Sequence, residues 1–194
     1  MSIRIAREED IPQILSIYGP YVTDTPYSFE YTAPTEEEFL RRFRAITAQF
    51  PWLVWEEEGS ILGYAYGSAP FERAAYRWCS EGSIYLRPDA RGKGIGRALY
   101  TALEEILRLQ GYKTNYAIIT SENHPSIAFH QALGYRHTAR MPDCGFKFGR
   151  WYDVIWMEKS LNVVESPSNF PVPADVFVKN NRILREILAK MSLS

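Results

Sequence analysis

The chain has 194 residues, of which 46% are hydrophobic, so its length favours one domain with a sizeable core over two full domains. Its 22 basic and 23 acidic residues are interspersed and give a net charge of −1 at pH 7, so we expect no nucleic-acid partner and no membrane partner. No apolar run approaches the roughly 20 residues that span a bilayer. The two cysteines lack C-x-x-C spacing, and the N-terminus has no apolar signal region. Together these features predict a cytoplasmic protein with reduced thiols.

The first half of the chain predicts a strand, two helices and a hairpin. Residues 3–6 predict a short strand, and residues 7–22 place apolar side chains on one helical face behind an acidic first turn. Residues 35–47 begin with a capping-box spacing and continue with an apolar stripe, which indicates a second helix. Residues 52–69 contain two apolar runs around a polar turn with a glycine, a pattern typical of an antiparallel hairpin.

The second half alternates strands and helices. Residues 83–87 predict a strand, after which a glycine-rich turn opens a long helix that Gly111 closes. Residues 115–120 resemble a strand, residues 124–133 a helix, and residues 146–159 one or two closing strands. This order predicts a mixed α/β (α+β) layer fold without internal repeats.

The end of the chain differs in composition, so we divide the sequence into residues 1–162 and a tail, residues 163–194. The tail begins with a proline-rich run that cannot form a regular helix or a central strand and is interpreted as a strap or linker. It ends in an amphipathic helix whose apolar stripe is Ile183, Leu184, Ile187, Leu188 and Met191. This helix either docks on its own domain or forms a dimer contact.

The glycine-rich turn, residues 91–97, has the composition of an anion site. Glycines allow backbone N–H groups to turn inward where a helix begins, and the positive end of the helix dipole suits a pyrophosphate. The turn lacks the G-K-[ST] of a P-loop and the G-x-G-x-x-G of a dinucleotide-binding loop. A purely structural glycine turn remains the alternative.

The pattern R-x-x-G-x-G between a strand and a helix resembles the coenzyme A pyrophosphate loop of the GCN5-related N-acetyltransferases (GNAT). Four blocks narrow the resemblance to the phosphinothricin N-acetyltransferase branch: FERAAYRWCSEGSIYL, ARGKGIGRALY, ENHPSIAFHQALGY and GFKFGRWYDVIWM. The resemblance covers most of residues 2–161. It implies a mostly antiparallel central sheet flanked by helices and acetyl-CoA as the cosubstrate. We also expect no metal, and a homodimer.

The resemblance also implies a coenzyme site. Backbone groups of Ile84, Tyr85 and Leu86 would receive the pantetheine arm, and Asn123 would contact the coenzyme from the start of the next helix. The residues expected around the pyrophosphate are Arg91, Gly92, Lys93, Gly94, Ile95, Gly96 and Arg97.

Two residues are candidates for chemistry. Acyl transfer to an amine needs a group that takes a proton from an ammonium, and the resemblance places Glu81 as this general base, directly or through water. It also places His130 near the reaction centre, where the alternative is a helix histidine without a chemical role. Cys79 stands two residues before Glu81 and leaves an acyl-cysteine mechanism as a minor alternative. The three histidines and two cysteines have no metal-ligand spacing.

The acceptor site is expected before Glu81. Arg73 and Tyr76 match residues that meet the anionic end of the acceptor, and an arginine beside a hydroxyl suits carboxylate or phosphoryl oxygens. The resemblance adds three neighbours of this site: Ala74, Ala75 and Phe29. The sequence has CSE where the branch usually has TVE, and Phe71 where some phosphinothricin enzymes have lysine, so the acceptor is less defined than the reaction.

The sequence therefore predicts an acetyl-CoA-dependent N-acetyltransferase that acts on the amine of a small acidic molecule by direct attack in a ternary complex. Candidate acceptors are phosphinothricin, methionine sulfoximine or sulfone, and amino acids. The alternatives are acetylation of a polyamine or a protein N-terminus, and a coenzyme A-binding sensor without catalysis.

Overall fold

The computed structural model describes residues 2–163, 165–167, 169–179 and 182–192, with the side chain of Ile183 excepted. Of the predicted amphipathic stripe, the side chain of Ile183 therefore lies outside the described residues.

Seven strands form one sheet in the order β1-β2-β3-β4-β5-β7-β6. The strands are β1 (Ser2–Ile5), β2 (Trp52–Glu57), β3 (Ser60–Ser68), β4 (Cys79–Leu86), β5 (Thr114–Thr120), β6 (Arg136–Lys147) and β7 (Arg150–Ser160). Every neighbouring pair is antiparallel except β4 and β5, which are parallel. The predicted mixed, mostly antiparallel sheet is confirmed.

Helices cover both faces of this sheet. They are α1 (Ile11–Thr23), α2 (Glu36–Thr47), α3 (Ile95–Gln110), α4 (His124–Ala132), α5 (Ala174–Lys179) and α6 (Arg182–Ser192). Side chains alternate between the faces of β2, so Trp52 packs with α1 and α2 while Leu53 packs with α3. The two faces thereby form two apolar cores, one under α1 and α2 and one under α3.

The tail returns to the domain. Helix α6 packs against α3 and β1, its Leu184 is 4% exposed, and the backbone N–H of Ile3 donates to the hydroxyl of Ser192 (2.7 Å). Of the two alternatives for the terminal helix, the structure shows docking on its own domain. It also covers the free edge of β1, which would otherwise present unpaired backbone groups.

Several element boundaries differ from the sequence prediction; β4, for example, begins at Cys79 rather than at position 83, and α5 was not predicted. The closing strands begin at Arg136, well before position 146, because β6 is an edge strand exposed on both sides over 136–144 and has no apolar alternation to detect. Its pairing with β7 is also interrupted between Met141 and Gly145. In the first helix, the acidic residues form a separate 3₁₀ turn, and α1 begins only at Ile11.

Candidate active site

The sheet opens between β4 and β5. These strands pair at three positions, the last being Glu81 opposite Tyr116. Beyond it, β4 continues along β3 to Leu86 and β5 continues along β7 to Thr120, so the two strands no longer pair with each other. A small cavity of about 70 Å³ lies in this gap between Gly82–Tyr85 and Ala117–Thr120. Glu81 stands where the gap begins.

Backbone groups of β4 face this gap at alternate residues. The Tyr100 hydroxyl donates to the carbonyl of Gly82 (3.2 Å), and the Tyr21 hydroxyl bonds both the carbonyl and the N–H of Leu86 (2.8 and 3.2 Å). Because backbone groups of an extended strand alternate in direction, the N–H and C=O of Ile84 point to the same side as those of Gly82 and Leu86. The backbone of Leu86 is thus already bonded to Tyr21, which makes Ile84 the central backbone candidate for the pantetheine arm.

A larger cavity of about 420 Å³ adjoins the gap at the start of α3. Gly92 and Gly94 line it with φ of +75° and +82°, a left-handed conformation that favours glycine, and a Cβ at either position would meet no atom within 4 Å. A side chain there would project into open space in front of the helix N-terminus. The 16-residue helix α3 therefore presents its positive dipole end and free N–H groups to an open cradle.

Two further glycines hold α3 against β4. A Cβ on Gly96 would lie 3.2 Å from a methyl group of Leu86, and one on Gly82 would lie 2.3 Å from the Tyr100 hydroxyl oxygen. Gly96 thus lets the first turn of α3 approach the strand closely, and Gly82 makes room for the Tyr100 hydroxyl. Both contacts fix the distance between the glycine turn and the gap.

Most residues of the predicted coenzyme site line this larger cavity, and a few do not. The predicted residues around it are Ile84, Leu86, Arg91, Gly92, Gly94, Gly96, Arg97 and Asn123. Lys93 is exposed, Ile95 packs its side chain in the core, and the ring of Tyr85 stacks on Tyr64 at the opposite face of the sheet (5.2 Å between centroids). The side chain of Asn123 caps α4 by accepting from the Ser126 N–H (3.3 Å).

Three aromatic residues that line the cavity were not predicted from the sequence, namely Tyr21, Tyr27 and Phe129. The Tyr21 hydroxyl also accepts from the Arg91 guanidinium (3.0 Å), which orients that cation at the cavity. Tyr21 and Tyr27 come from the end of α1 and the loop after it, far from the glycine turn in sequence. A tyrosine in a helical pattern carries no signal for such a long-range contact.

Glu81 is a desolvated carboxyl group. It is partly buried, and burial raises its pKa to about 7 from an ordinary value of 4.5. No cation or hydrogen-bond donor among the described residues opposes this shift. A carboxyl group with a pKa near the working pH is suited to accept a proton from an ammonium.

His130 is buried, with 2% of its surface exposed, and borders the small cavity. Its Nδ1 bonds the carbonyl of Ser126 (2.8 Å) and therefore carries the proton, while Nε2 is buried without a partner among the described residues. Burial lowers the pKa of this imidazole, so the ring is neutral at pH 7 and Nε2 is a hydrogen-bond acceptor. The rings of Tyr100 and Tyr135 pack edge-on against it and fix its orientation.

The predicted acceptor residues lie in the loop before β4, the strand that carries Glu81. Arg73, Ala74 and Ala75 are exposed in the loop that leads into β4, and Tyr76 is 43% exposed. Phe71 anchors this loop: its ring contacts Tyr76 (4.6 Å) and stacks on Trp156 (5.7 Å). Tyr116, the strand partner of Glu81, contacts both Phe71 and Trp156, so an aromatic cluster lies at the position paired with Glu81.

Phe29 is held by a different contact. Its ring lies so close to Gly145 that a Cβ there would stand 2.3 Å from it. Beside it, the ammonium of Lys147 is buried and donates to the carbonyls of Val22, Thr25 and Ser28 (2.6, 3.1 and 2.6 Å). The loop after α1 is thus fixed on the β6–β7 hairpin.

The described residues contain no group of three or more His, Cys, Asp or Glu side chains that could hold a metal ion. Within the same ranges, no helix is both long and apolar enough to cross a membrane.

Comparison with known proteins identifies relatives over nearly the whole chain. The family model described as acetyltransferase (GNAT) domain matches residues 3–156. A phosphinothricin N-acetyltransferase of Alcaligenes faecalis is 38% identical over 165 residues, covering 83% of each protein. An L-methionine sulfoximine/L-methionine sulfone acetyltransferase of Pseudomonas paraeruginosa is 40% identical, covering 85% of this chain and 97% of that protein. The crystal structure of a phosphinothricin acetyltransferase of Sinorhizobium meliloti in complex with acetyl-CoA has a TM-score of 0.81 and 39% identity, covering 88% and 92%.

Proposed function

The chain belongs to the GNAT acetyltransferase family, and we propose that it transfers the acetyl group of acetyl-CoA to the amine of a small acidic molecule. The acceptor class is an amino acid or an analogue such as phosphinothricin, methionine sulfoximine or methionine sulfone. The observation that carries the proposal is the position of Glu81, whose pKa is raised to about 7, at the point where β4 and β5 part. Relatives named for these acceptors are 38% and 40% identical to this chain.

The residues present fit acetyl-CoA as the cosubstrate. The open cradle at Gly92 and Gly94, the N-terminus of α3 and the cations Arg91 and Arg97 suit a pyrophosphate. The outward-facing backbone of Ile84 suits the amide groups of a pantetheine arm, which can add to a strand through backbone hydrogen bonds. When bound, the coenzyme supplies an acetyl thioester.

Glu81 would act as the general base. The acceptor amine is protonated at neutral pH and must lose a proton before or during attack on the thioester carbonyl. The amine nitrogen would form the new C–N bond as the thioester C–S bond breaks. Glu81 would receive the ammonium proton directly or through water, and the second proton lost from the nitrogen would go to the leaving coenzyme A thiolate. Backbone N–H groups of β4 would stabilise the developing oxyanion, as donors fixed before the reaction do. The neutral Nε2 of His130 is a second acceptor at the same gap.

The anionic end of the acceptor would bind at Arg73 and Tyr76. This loop is exposed and adjoins the aromatic cluster of Phe71, Trp156 and Tyr116, the last of which is the strand partner of Glu81. A guanidinium next to a phenol offers several donors to carboxylate, sulfone or phosphoryl oxygens. Phe71, an uncharged neighbour, favours a sulfone or sulfoximine over a doubly charged phosphoryl group.

A screen of acceptors tests the proposal. Release of coenzyme A, followed with a thiol reagent, is measured with phosphinothricin, methionine sulfoximine, methionine sulfone, acidic amino acids, spermidine and a peptide with a free N-terminus. We expect the acidic acceptors to react fastest and methionine sulfone to exceed phosphinothricin. Faster turnover with spermidine or the peptide would reject the acceptor class, and coenzyme binding without turnover would indicate a sensor.

We also propose a cytoplasmic homodimer. The free thiols of Cys79 and Cys144 agree with a reducing compartment. The edge strand β6 and the start of β7 expose Met141, Phe146 and Trp151 (42–59% of each side chain), a surface that a second copy would cover. Light scattering of the purified protein measures its mass, and a monomer would reject the dimer.

A further inference from the structure

A segment beyond the family match contacts the acceptor loop. The match ends at residue 156, and the chain then continues through what we call the strap, residues 169–173. The strap is bound at the end of α3, where the Val172 N–H donates to the Gln110 carbonyl (2.8 Å) and the Gln110 amide donates to the Val172 carbonyl (2.7 Å). Just after it, the Ala174 N–H donates to the Gln49 carbonyl (3.1 Å). These bonds give the strap a defined path.

The first residues of the strap lie against the C-terminal end of the acceptor loop. The Trp78 indole N–H donates to the carbonyl of Asn169 (3.1 Å), and its ring lies 5.0 Å from the ring of Phe170. The guanidinium carbon of Arg77 lies 4.9 Å from the centre of the same ring, on which a cation is attracted to the π-face. Arg77 and Trp78 follow Tyr76 directly.

The acceptor loop is therefore held at both ends. At its beginning, Phe71 stacks on Trp156. At its end, Arg77 and Trp78 contact Phe170, immediately before β4, which carries Glu81. Between these two points, residues 72–76 are exposed. The Trp78 backbone is also held just before β5, where its carbonyl accepts from the Lys113 N–H (2.8 Å), so Phe170 adds a side-chain contact that limits the movement of the residues between Phe71 and Trp78.

We propose that Phe170 is a positioning residue for acceptor binding, which the tail supplies from outside the matched acetyltransferase domain. It holds the Arg73–Tyr76 loop at a fixed distance from Glu81 and takes no part in coenzyme binding. This inference rests on the proposed function for its kinetic consequence. Its structural consequence, a less constrained acceptor loop when Phe170 is lost, is independent of any activity.

The kinetic test compares Phe170→Ala, Phe170→Tyr and a control, Val176→Ala, which truncates another exposed apolar residue of the tail. Phe170→Ala should raise KM for the best acidic acceptor about 3- to 10-fold, in line with the loss of one aromatic pair and one cation–π contact. We expect kcat and the Kd for acetyl-CoA to stay within about twofold. Phe170→Tyr keeps the ring and should restore KM, and Val176→Ala should leave it unchanged.

Limited proteolysis tests the same idea without acetyl transfer. Trypsin cleaves after Arg73 and Arg77, and mass spectrometry separates these products from cleavage elsewhere. Phe170→Ala should be cleaved at the loop several-fold faster than the wild type and Phe170→Tyr. If Phe170→Ala folds poorly, Arg77→Met breaks the contact from the loop side, and cleavage at Arg73 is then compared.

The outcomes separate this inference from the proposed function. If no acceptor reacts even with the wild type, the proposed function fails, and the cleavage rates still decide whether Phe170 holds the loop. Equal cleavage rates together with an unchanged KM in Phe170→Ala would overturn the inference. Equal loss of kcat and acetyl-CoA affinity, without a change in KM for the acceptor, would also overturn it.

Discussion

Replacing Glu81 by glutamine tests whether this carboxyl group is both desolvated and catalytic. The substitution keeps the shape of the side chain and removes its charge and basicity. Because the folded-state pKa of about 7 lies above the ordinary 4.5, folding favours the protonated acid. The resulting stabilisation is fully present below pH 4.5 and is lost as the pH rises through about 7.

The pKa shift of Glu81 sets the size of the change in stability with pH. A difference of roughly 2.5 pKa units at about 1.36 kcal/mol each corresponds to about 3 kcal/mol that the wild type loses between pH 4.5 and pH 8. The Glu81→Gln variant has no carboxyl group to titrate at this position and therefore does not lose this stabilisation. For a chain of this length each kcal/mol changes Tm by about 2–4 °C, so the Tm of the variant relative to the wild type should rise by roughly 6–12 °C between pH 5 and pH 8.5. Thermal denaturation at both pH values measures this difference.

The same substitution should impair turnover. We expect kcat at pH 7.5 to fall about 10²-fold or more, with little change in the Kd for acetyl-CoA. In the wild type, kcat/KM should rise with pH and level off above about pH 7, and the variant should lose this dependence. Glu57→Gln, the same substitution on β2, is the control and should keep the wild-type rate. A pH-independent Tm difference would refute the desolvation argument, and wild-type turnover in Glu81→Gln would exclude Glu81 as the base.

Three further substitutions test the donor site, the acceptor site and the loop after α1. Gly94→Asp should weaken acetyl-CoA binding, measured by calorimetry, at least 10-fold more than Gly94→Asn, which tolerates the same φ without a charge; equal affinities would reject the pyrophosphate site. Arg73→Ala should raise KM for an acidic acceptor roughly 10- to 100-fold, as expected for a lost charge-assisted hydrogen bond, and Arg73→Lys less; an unchanged KM would remove Arg73 from the acceptor site. Lys147→Met leaves three carbonyls without their donor and should lower Tm by roughly 6–12 °C. Lys179→Met, at an exposed lysine, should not lower Tm, and equal Tm values for the two variants would contradict a structural role for the buried ammonium.

The glycine turn could be predicted from the sequence because its information is local. A strand, a cluster of glycines and a helix pattern follow each other within 30 residues, and the positive φ values of Gly92 and Gly94 are what such a cluster permits. The family resemblance that the turn suggested is confirmed by a match over residues 3–156. The roles of Glu81 and His130 stay predictions, although the structure places both residues at the gap between β4 and β5.

The walls of the site could not be predicted in the same way. Tyr21 contributes a hydroxyl that bonds Leu86 and Arg91, 65 and 70 positions later in the chain. On α1 it is one aromatic residue among several, and only tertiary packing distinguishes it. Similarly, β6 was missed over most of its length because a strand exposed on both faces needs no apolar alternation.

The identity of the acceptor is the part of the function that local sequence defines least, and the structure gives a physical reason. The loop after α1 is positioned by contacts from the other end of the chain: Lys147 bonds two of its carbonyls and one in the last turn of α1, and the Tyr31 hydroxyl donates to the Phe146 carbonyl (2.7 Å). The loop before β4 is positioned by Trp156 and Phe170. The glycine cradle for the pyrophosphate, by contrast, is formed by one turn and the start of one helix. A change at Trp156 or in the strap can therefore alter which amine is accepted without altering acetyl-CoA binding, so residues far from Glu81 in sequence should control acceptor specificity.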